Sequence, residues 1–467
     1  MEEAQQSSYR SRATSVLGRN CFDVFGGASM KALFCATVNR SLVSILTLAL
    51  MAQLSPLVAS AKTPAVLPVS GDVLISGGIS SRGAPTASAE FYSVSRNQFI
   101  KTGAMHVARS ALQAQTVGIT PETTVPQTFV FGGSKALVKS TGLSLSQNAN
   151  DALIIEKYIE SRGAFTIYKA HLVKMRSQFE SVPFPGNFPA EDLDGHILVI
   201  GGMSKGIITA FGEAVDPTNI EDITGELNSP RLFATGTLLN DGTILVTGGI
   251  IDQAGDVTDS AELFDPVSFD YVALSSTMTT ARAGHTATLL NDGNVLITGG
   301  LSGPGGSLKA VASAEIYNPT TQVFSSVGNL YDNRTFHTAS LLNDGTVLVA
   351  GGANGNALVA ISRGLKISFT SGGPVNNAEI YNPLSHSFAC VGGSVGGPCQ
   401  PSMNSQRLFD TATTLANGAV LIAGGFGISA KGAFQAQNTA ELFQGGQFVA
   451  IGNMIHARAW HAATVLP

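Results

Sequence analysis

His285–Gly300 reads HTATLLNDGNVLITGG. Two short apolar runs flank an Asn-Asp-Gly, and the second run ends in a glycine pair. Asp-Gly between β-rich runs marks a hairpin, because its turn needs positive φ, which glycine adopts without steric cost. The unit returns at His337–Gly352 (HTASLLNDGTVLVAGG), Ala234–Gly249 (ATGTLLNDGTILVTGG) and Asp410–Gly425 (DTATTLANGAVLIAGG). A recurrence of this kind governs the whole fold.

Seven glycine pairs close an apolar run: Gly77-Gly78, Gly132-Gly133, Gly201-Gly202, Gly248-Gly249, Gly299-Gly300, Gly351-Gly352 and Gly424-Gly425. Their base period is about 50 residues, with insertions, as in propeller blades. A third strand follows most of them: SAEFY at 88–92, SAELF at 260–264, SAEIY at 313–317, NAEIY at 377–381 and TAELF at 439–443. Asp265-Pro266, Asn318-Pro319 and Asn382-Pro383 stop three of these, since Asx-Pro starts a turn. A fourth short run follows, such as Gln322–Val327. One four-stranded sheet cannot bury both faces alone, but sheets stacked about an axis can. The expectation is an all-β, seven-bladed β-propeller of four-stranded antiparallel blades over residues 62–467, with six blades as the alternative. Two repeats depart from the pattern. The second, TFVFGG at 128–133, carries an insert near Lys139–Asp151; the third, ILVIGG at 197–202, lacks an AEIY strand and has Gly212–Asn228 in its place. Blade boundaries within 139–228 stay open. The chain ends on a first strand with no second, so His461–Leu466 is expected to pair with Asp72–Gly78, closing the ring and removing sheet edges.

The double glycine, the later aromatic and the Arg-x-x-His before several units resemble the kelch repeat, in its bacterial form with LLNDG and AEIYNP. The likeness covers roughly Pro64–Pro467 and places the chain near galactose oxidase-like propellers. It implies a protein- or glycan-binding scaffold without catalysis. The alternative it implies is a carbohydrate-active enzyme, a sugar isomerase or oxidase, on the same propeller. Copper oxidase chemistry does not fit: no Tyr-His dipeptide occurs, and the cysteines are better read as a pair. No cofactor and no metal is expected.

Residues 1–61 differ from the rest. Met1–Ser29 is mostly polar. Met30–Ala61 has Lys31 and Arg40, an apolar stretch from Leu42 to Leu57, and Ala59-Ser60-Ala61, the pattern of a secretory signal with cleavage after Ala61. An uncleaved anchor is the alternative, although the apolar stretch is short for a spanning helix. A secreted or periplasmic location follows as an expectation. In an oxidising compartment Cys390 and Cys399, the ends of CVGGSVGGPC, read as a disulfide. Charged residues make up only 13% and the net charge is −5, so nothing electrostatic suggests nucleic acid. A monomer is expected.

Few residues carry chemistry. His285, His337 and His461 each lie three after an arginine, Arg282, Arg334 and Arg458. Arg407 with Asp410 stands in the same place, as do Arg109 with Leu112 and Arg231 with Ala234. These eight, Arg282, His285, Arg334, His337, Arg407, Asp410, Arg458 and His461, are the candidate binding residues at a channel mouth. The competing reading makes each arginine a tie to a glutamate of the AEIY strand, Glu262, Glu315, Glu379 or Glu441. Recurrence in most blades favours ties, because a site needs one set of groups. His106, His171 and Asp410 break the repeat. Gly392–Gly396 matches G-x-S-x-G without the strand and helix that a nucleophile elbow needs, and Gly299–Gly306 lacks the helix that would hold a phosphate. Partners are expected on the loops Ala353–Val375 and Cys390–Cys399.

Overall fold

The computed structural model describes residues 66–118, 125–139, 142–146, 153–184, 195–216, 222–361, 364–393 and 399–467. The leader lies outside them. Val66–Pro467 forms one compact unit. It is all-β and propeller-like, its only helical element among the described residues being the 3-10 turn Glu160–Arg162. Among the described residues no helix is long and apolar enough to cross a membrane.

The quoted stretch folds as read. Thr286–Leu289 and Val295–Thr298 form an antiparallel hairpin, then Ala314–Asn318 and Val323–Ser326 complete a four-stranded sheet. The second strand is fully buried, because neighbouring sheets cover both its faces. The described residues contain seven such sheets, each holding one glycine pair just after its second strand, numbered here 1 to 7 in the order of those pairs. The innermost strands are Gln113–Val117, Glu180–Pro183, Thr235–Leu238, Thr286–Leu289, Thr338–Leu341 and Thr411–Thr414 for sheets 2 to 7. In sheet 1 the inner strand is Ala462–Val465, paired with Val73–Ser76. The third repeat is regular after all: Phe211–Val215 is its third strand and Asp222–Glu226 its fourth. The reading that Gly212–Asn228 replaces such a strand is therefore corrected; FGEAV keeps the glutamate but not the surrounding letters.

Each glycine pair sits where a sheet meets the next. Gly299 and Gly300 have φ of 61° and 105°. A Cβ on Gly299 would lie 2.5 Å from the Arg334 carbonyl oxygen of sheet 6. That carbonyl accepts the Gly300 N–H at 2.8 Å, so close approach and left-handed backbone both require glycine.

Strands alternate in direction, so the Asn-Asp-Gly turns lie at one end of the sheets and the connections after the glycine pairs at the other. At the second end, connections of sheets 5, 6 and 2 join into one six-stranded sheet: Leu301–Ser302, Ser307–Ala310, Asn356–Ile361, Leu365–Phe369, Gly142–Ser146 and Lys135–Lys139. Asn356–Ile361 alternates exposed and buried residues. Its inner face and that of Leu365–Phe369 join a hydrophobic cluster with Ile79, Met203, Ile250 and Phe426 of other sheets. Ala353–Val375, expected as a loop open to partners, is mostly this hairpin. Burial of Ala357, Val359, Ile361, Leu365 and Ile367 explains why it is ordered. Cys390 and Cys399 form a disulfide, while residues 394–398 of that loop, and with them most of G-x-S-x-G, lie outside the described residues. The Cys399 N–H donates to Asp332 Oδ2 at 3.0 Å, which ties the loop to the strand connection before sheet 6.

Candidate functional site

The four candidate arginines are not at a mouth. Arg282, Arg334, Arg407 and Arg458 are fully buried and paired with Glu315, Glu379, Glu441 and Glu90 at 2.6 to 2.9 Å. Arg109–Glu156, Arg176–Glu213 and Arg231–Glu262 extend the series to every sheet. Arg282 also donates to the Gly299 and Ser313 carbonyls, and Glu315 accepts the Thr279 and Thr280 N–H groups of the incoming connection. A buried charge needs such a complete set of partners. These arginines are withdrawn from the binding set. The Arg176–Glu213 and Arg109–Glu156 pairs were missed because irregular repeats surround them. Arg282 reaches a glycine carbonyl 17 residues on, whereas Arg109 and Arg176 reach theirs 23 and 25 residues on.

Two residues after each arginine the backbone turns left-handed. Ala111, Gln178, Phe233, Gly284, Phe336, Phe409 and Trp460 all have φ of 50° to 61°. This turn sends N–H groups to the neighbouring sheet: Trp460 donates to the Phe409 carbonyl, Ala111 to Trp460, Gly284 to Phe233 and Phe336 to Gly284, at 2.8 to 2.9 Å. It also brings four rings together. Phe409 stacks on Trp460 with centroids 4.2 Å apart and planes within 9°; Phe336 touches Phe409 at 4.6 Å and Phe233 at 5.0 Å. The sequence carried this signal in RTFH, RLFD, RAWH and RLFA, which were not read as a set. Left-handed backbone is unfavourable for bulky residues, a strain that persists only where surroundings enforce it.

The next residue of each repeat lines a cavity of about 260 Å³ over these rings. Its polar wall is His285, His337, Asp410 and His461, with Gln178 of the left-handed turn and Gln113, Glu180 and Thr235 from the inner strands. His285 Nε2 lies 3.1 Å from Thr235 Oγ1 and 2.9 Å from Thr247 Oγ1 of sheet 4. His337 meets Thr286 and Thr298 of sheet 5 in the same way, and His461 meets Thr411 of sheet 7. Burial, then the charges of nearby arginines, holds all three imidazoles well below the ordinary histidine range. Each is neutral at pH 7.

Asp410 occupies the histidine place of sheet 7 and differs. The sheet it faces has Ala350 where Thr247 and Thr298 stand in sheets 4 and 5, and Thr338 turns to the Ala350 carbonyl instead. Neither carboxylate oxygen of Asp410 has a hydrogen-bond partner, and the residue is 9% exposed. Burial pushes its carboxyl up to about 7, against the pull of Arg407. Glu180, partly exposed in the same wall, is pushed by burial to about 8. The other irregular residues lie elsewhere: His106 bonds Glu156 at 2.9 Å outside the cavity, and exposed His171 ends an outer strand. Toward the turn end of the inner strands, a wider opening of about 650 Å³ is lined by Gln115, Thr116, Thr414 and Thr464.

No family model and no curated protein matches the chain. Among solved structures it is similar to one titled "Structure of YjhT", at 15% identity and a TM-score of 0.47, covering 74% of this chain and 98% of that one.

Proposed function

We propose that the seven sheets are the blades of a ring-closed kelch-type propeller, exported from the cytoplasm, that binds a small neutral polyhydroxylated ligand, such as a sugar unit, in its central cavity. The order of contacts supports the ring. Each innermost strand neighbours the next, and Ala462–Val465 lies between those of sheets 7 and 2. The ligand reading rests on the unpartnered Asp410 carboxyl facing a cavity floored by stacked rings. A carboxyl that keeps its proton near neutrality can donate and accept with hydroxyl groups, as can the amides of Gln113 and Gln178. Neutral imidazoles add no net charge, and aromatic faces suit the C–H faces of a pyranose. The volume is just under the usual range for ligand pockets, about 300 Å³ upward, which favours one ring.

Ligand-observed NMR with a panel of neutral monosaccharides tests this. Saturation transfer to at least one, lost in Asp410→Leu and in Trp460→Ala, is expected. Absence of transfer from the folded wild type to every sugar would overturn it.

A sugar-transforming enzyme is the second reading, favoured by one observation: the wall holds two unlike, non-repeating carboxyls, Glu180 and Asp410, both raised toward neutrality, as proton-transfer groups are. Turnover of a bound sugar, abolished in Glu180→Gln with binding retained, would select it.

A further inference from the structure

The two ends of the sheets differ in charge, the turn end carrying most of the exposed aspartates alongside Arg96 and Arg162. At the turn end, Asp241, Asp292 and Asp344 of the hairpin turns are exposed, with Asp270 beside them. At the other end, the connections after the glycine pairs carry exposed Arg82, Lys205, Lys309, Lys366 and Lys431, from sheets 1, 3, 5, 6 and 7. The described carboxylates in these connections, Asp252, Asp256 and Asp259, all belong to sheet 4. Two of them are engaged locally: Asp252 accepts the Gly255 and Asp256 N–H groups, and Asp256 accepts that of Gly305. The connections after the glycine pairs of sheets 1, 3, 5, 6 and 7 therefore carry exposed cations and, among the described residues, no carboxylate, in a chain whose net charge is −5. Aliphatic side chains are exposed among them. Ile207 is 65% exposed two residues from Lys205, Leu358 is 50% exposed beside the strand of Lys366, and Ile428 is 41% exposed three residues from Lys431.

We propose that this face docks the protein on an anionic lipid bilayer. The lysines would meet lipid phosphates, and Ile207, Leu358 and Ile428 would enter the interface between head groups and acyl chains. Cations attract an anionic surface, and buried apolar area adds attraction that salt does not screen. The exposed aliphatic residues favour a bilayer over a soluble polyanion, which offers nothing apolar to bury. Docked this way, the turn end and its wider opening face away from the membrane.

Co-sedimentation of the full chain with vesicles tests the proposal, so that any contribution of residues 1–65 is common to all variants. The readout is the gain in binding when about a third of the phosphatidylcholine is replaced by phosphatidylglycerol. Each lysine near such a surface is worth about fivefold. Reversal of Lys205, Lys309, Lys366 and Lys431 to Glu should therefore weaken the gain by roughly a hundredfold or more. Ile207→Ser with Leu358→Ser and Ile428→Ser should weaken binding that persists at high salt. Asp241→Asn with Asp292→Asn and Asp344→Asn, at the opposite end, should leave the gain intact. Circular dichroism checks that each variant is folded. No gain with phosphatidylglycerol, a gain that survives reversal of all four lysines in folded protein, or capture by dextran sulfate without vesicle binding would overturn the proposal.

Discussion

Asp410 is the residue at which the repeat and the site part company. Its three counterparts, His285, His337 and His461, have a threonine hydroxyl from the neighbouring sheet; Asp410 has none. An unfolded aspartate releases its proton near pH 4, whereas this one holds it to about 7. Between those values the folded state binds more protons, so this group's contribution to stability falls as pH rises through the window. Asp410→Asn should consequently gain stability over wild type between pH 4 and pH 8, by at least about 1 kcal/mol, the worth of one pKa unit. Urea unfolding at the two pH values checks this, and an equal difference at both would refute it. The histidines act in the opposite sense. Their folded affinity for protons is depressed below 6.5, so their contribution is intact above that pH and is lost as pH falls. The arginines obey a different logic. Arg334→Met leaves Glu379 buried without its charge partner and should cost about 3–5 kcal/mol, measured as a shift in the denaturant midpoint. Under the proposed function, sugar binding should survive in the folded fraction, because Arg334 is not among the residues lining the cavity.

The strands and their turns were the most legible part of the sequence. HTATLLNDGNVLITGG announces two strands, the turn between them and the crowded junction that follows, because each needs a particular local residue. Gly299→Ala tests that junction. With φ of 61° and the Arg334 carbonyl in the way, the change should cost about 2 kcal/mol or more. A melting temperature unchanged in Gly299→Ala would contradict this. What the sequence hid were features needing two distant segments. The Leu365–Phe369 strand pairs with Gly142–Ser146 across more than 200 residues, and no local pattern encodes that partner. The cavity was half legible: His285, His337, Asp410 and His461 stood out by position, whereas Glu180 and Gln178 fall in SQFE, a segment without the repeat's letters. The Cys390–Cys399 bond was legible from two cysteines flanking a glycine-rich loop, taken with the expected oxidising compartment. Closing its ten-residue ring should contribute about 3 kcal/mol in the chain-entropy model, lost on paired replacement by serine and read by thermal unfolding.

For the molecule as a whole, the pairing of Ala462–Val465 with Val73–Ser76 is decisive. Arg458 reinforces it, donating to the Gly77 carbonyl at 2.8 Å and to Glu90 at 2.8 Å. Deleting Ala457–Pro467 removes the inner strand of sheet 1 and that ion pair together. The loss should exceed the about 3–5 kcal/mol of one broken pair, and a drop in melting temperature measures it. The same pairing also sets a timetable. The contacts of Arg458 with the first sheet span up to 381 residues, so Val73–Ser76 waits during synthesis for a strand made long after it. A chain halted before Ala462 would carry an unfilled slot beside Val73–Ser76, and a protease should cut there until Ala462–Val465 arrives.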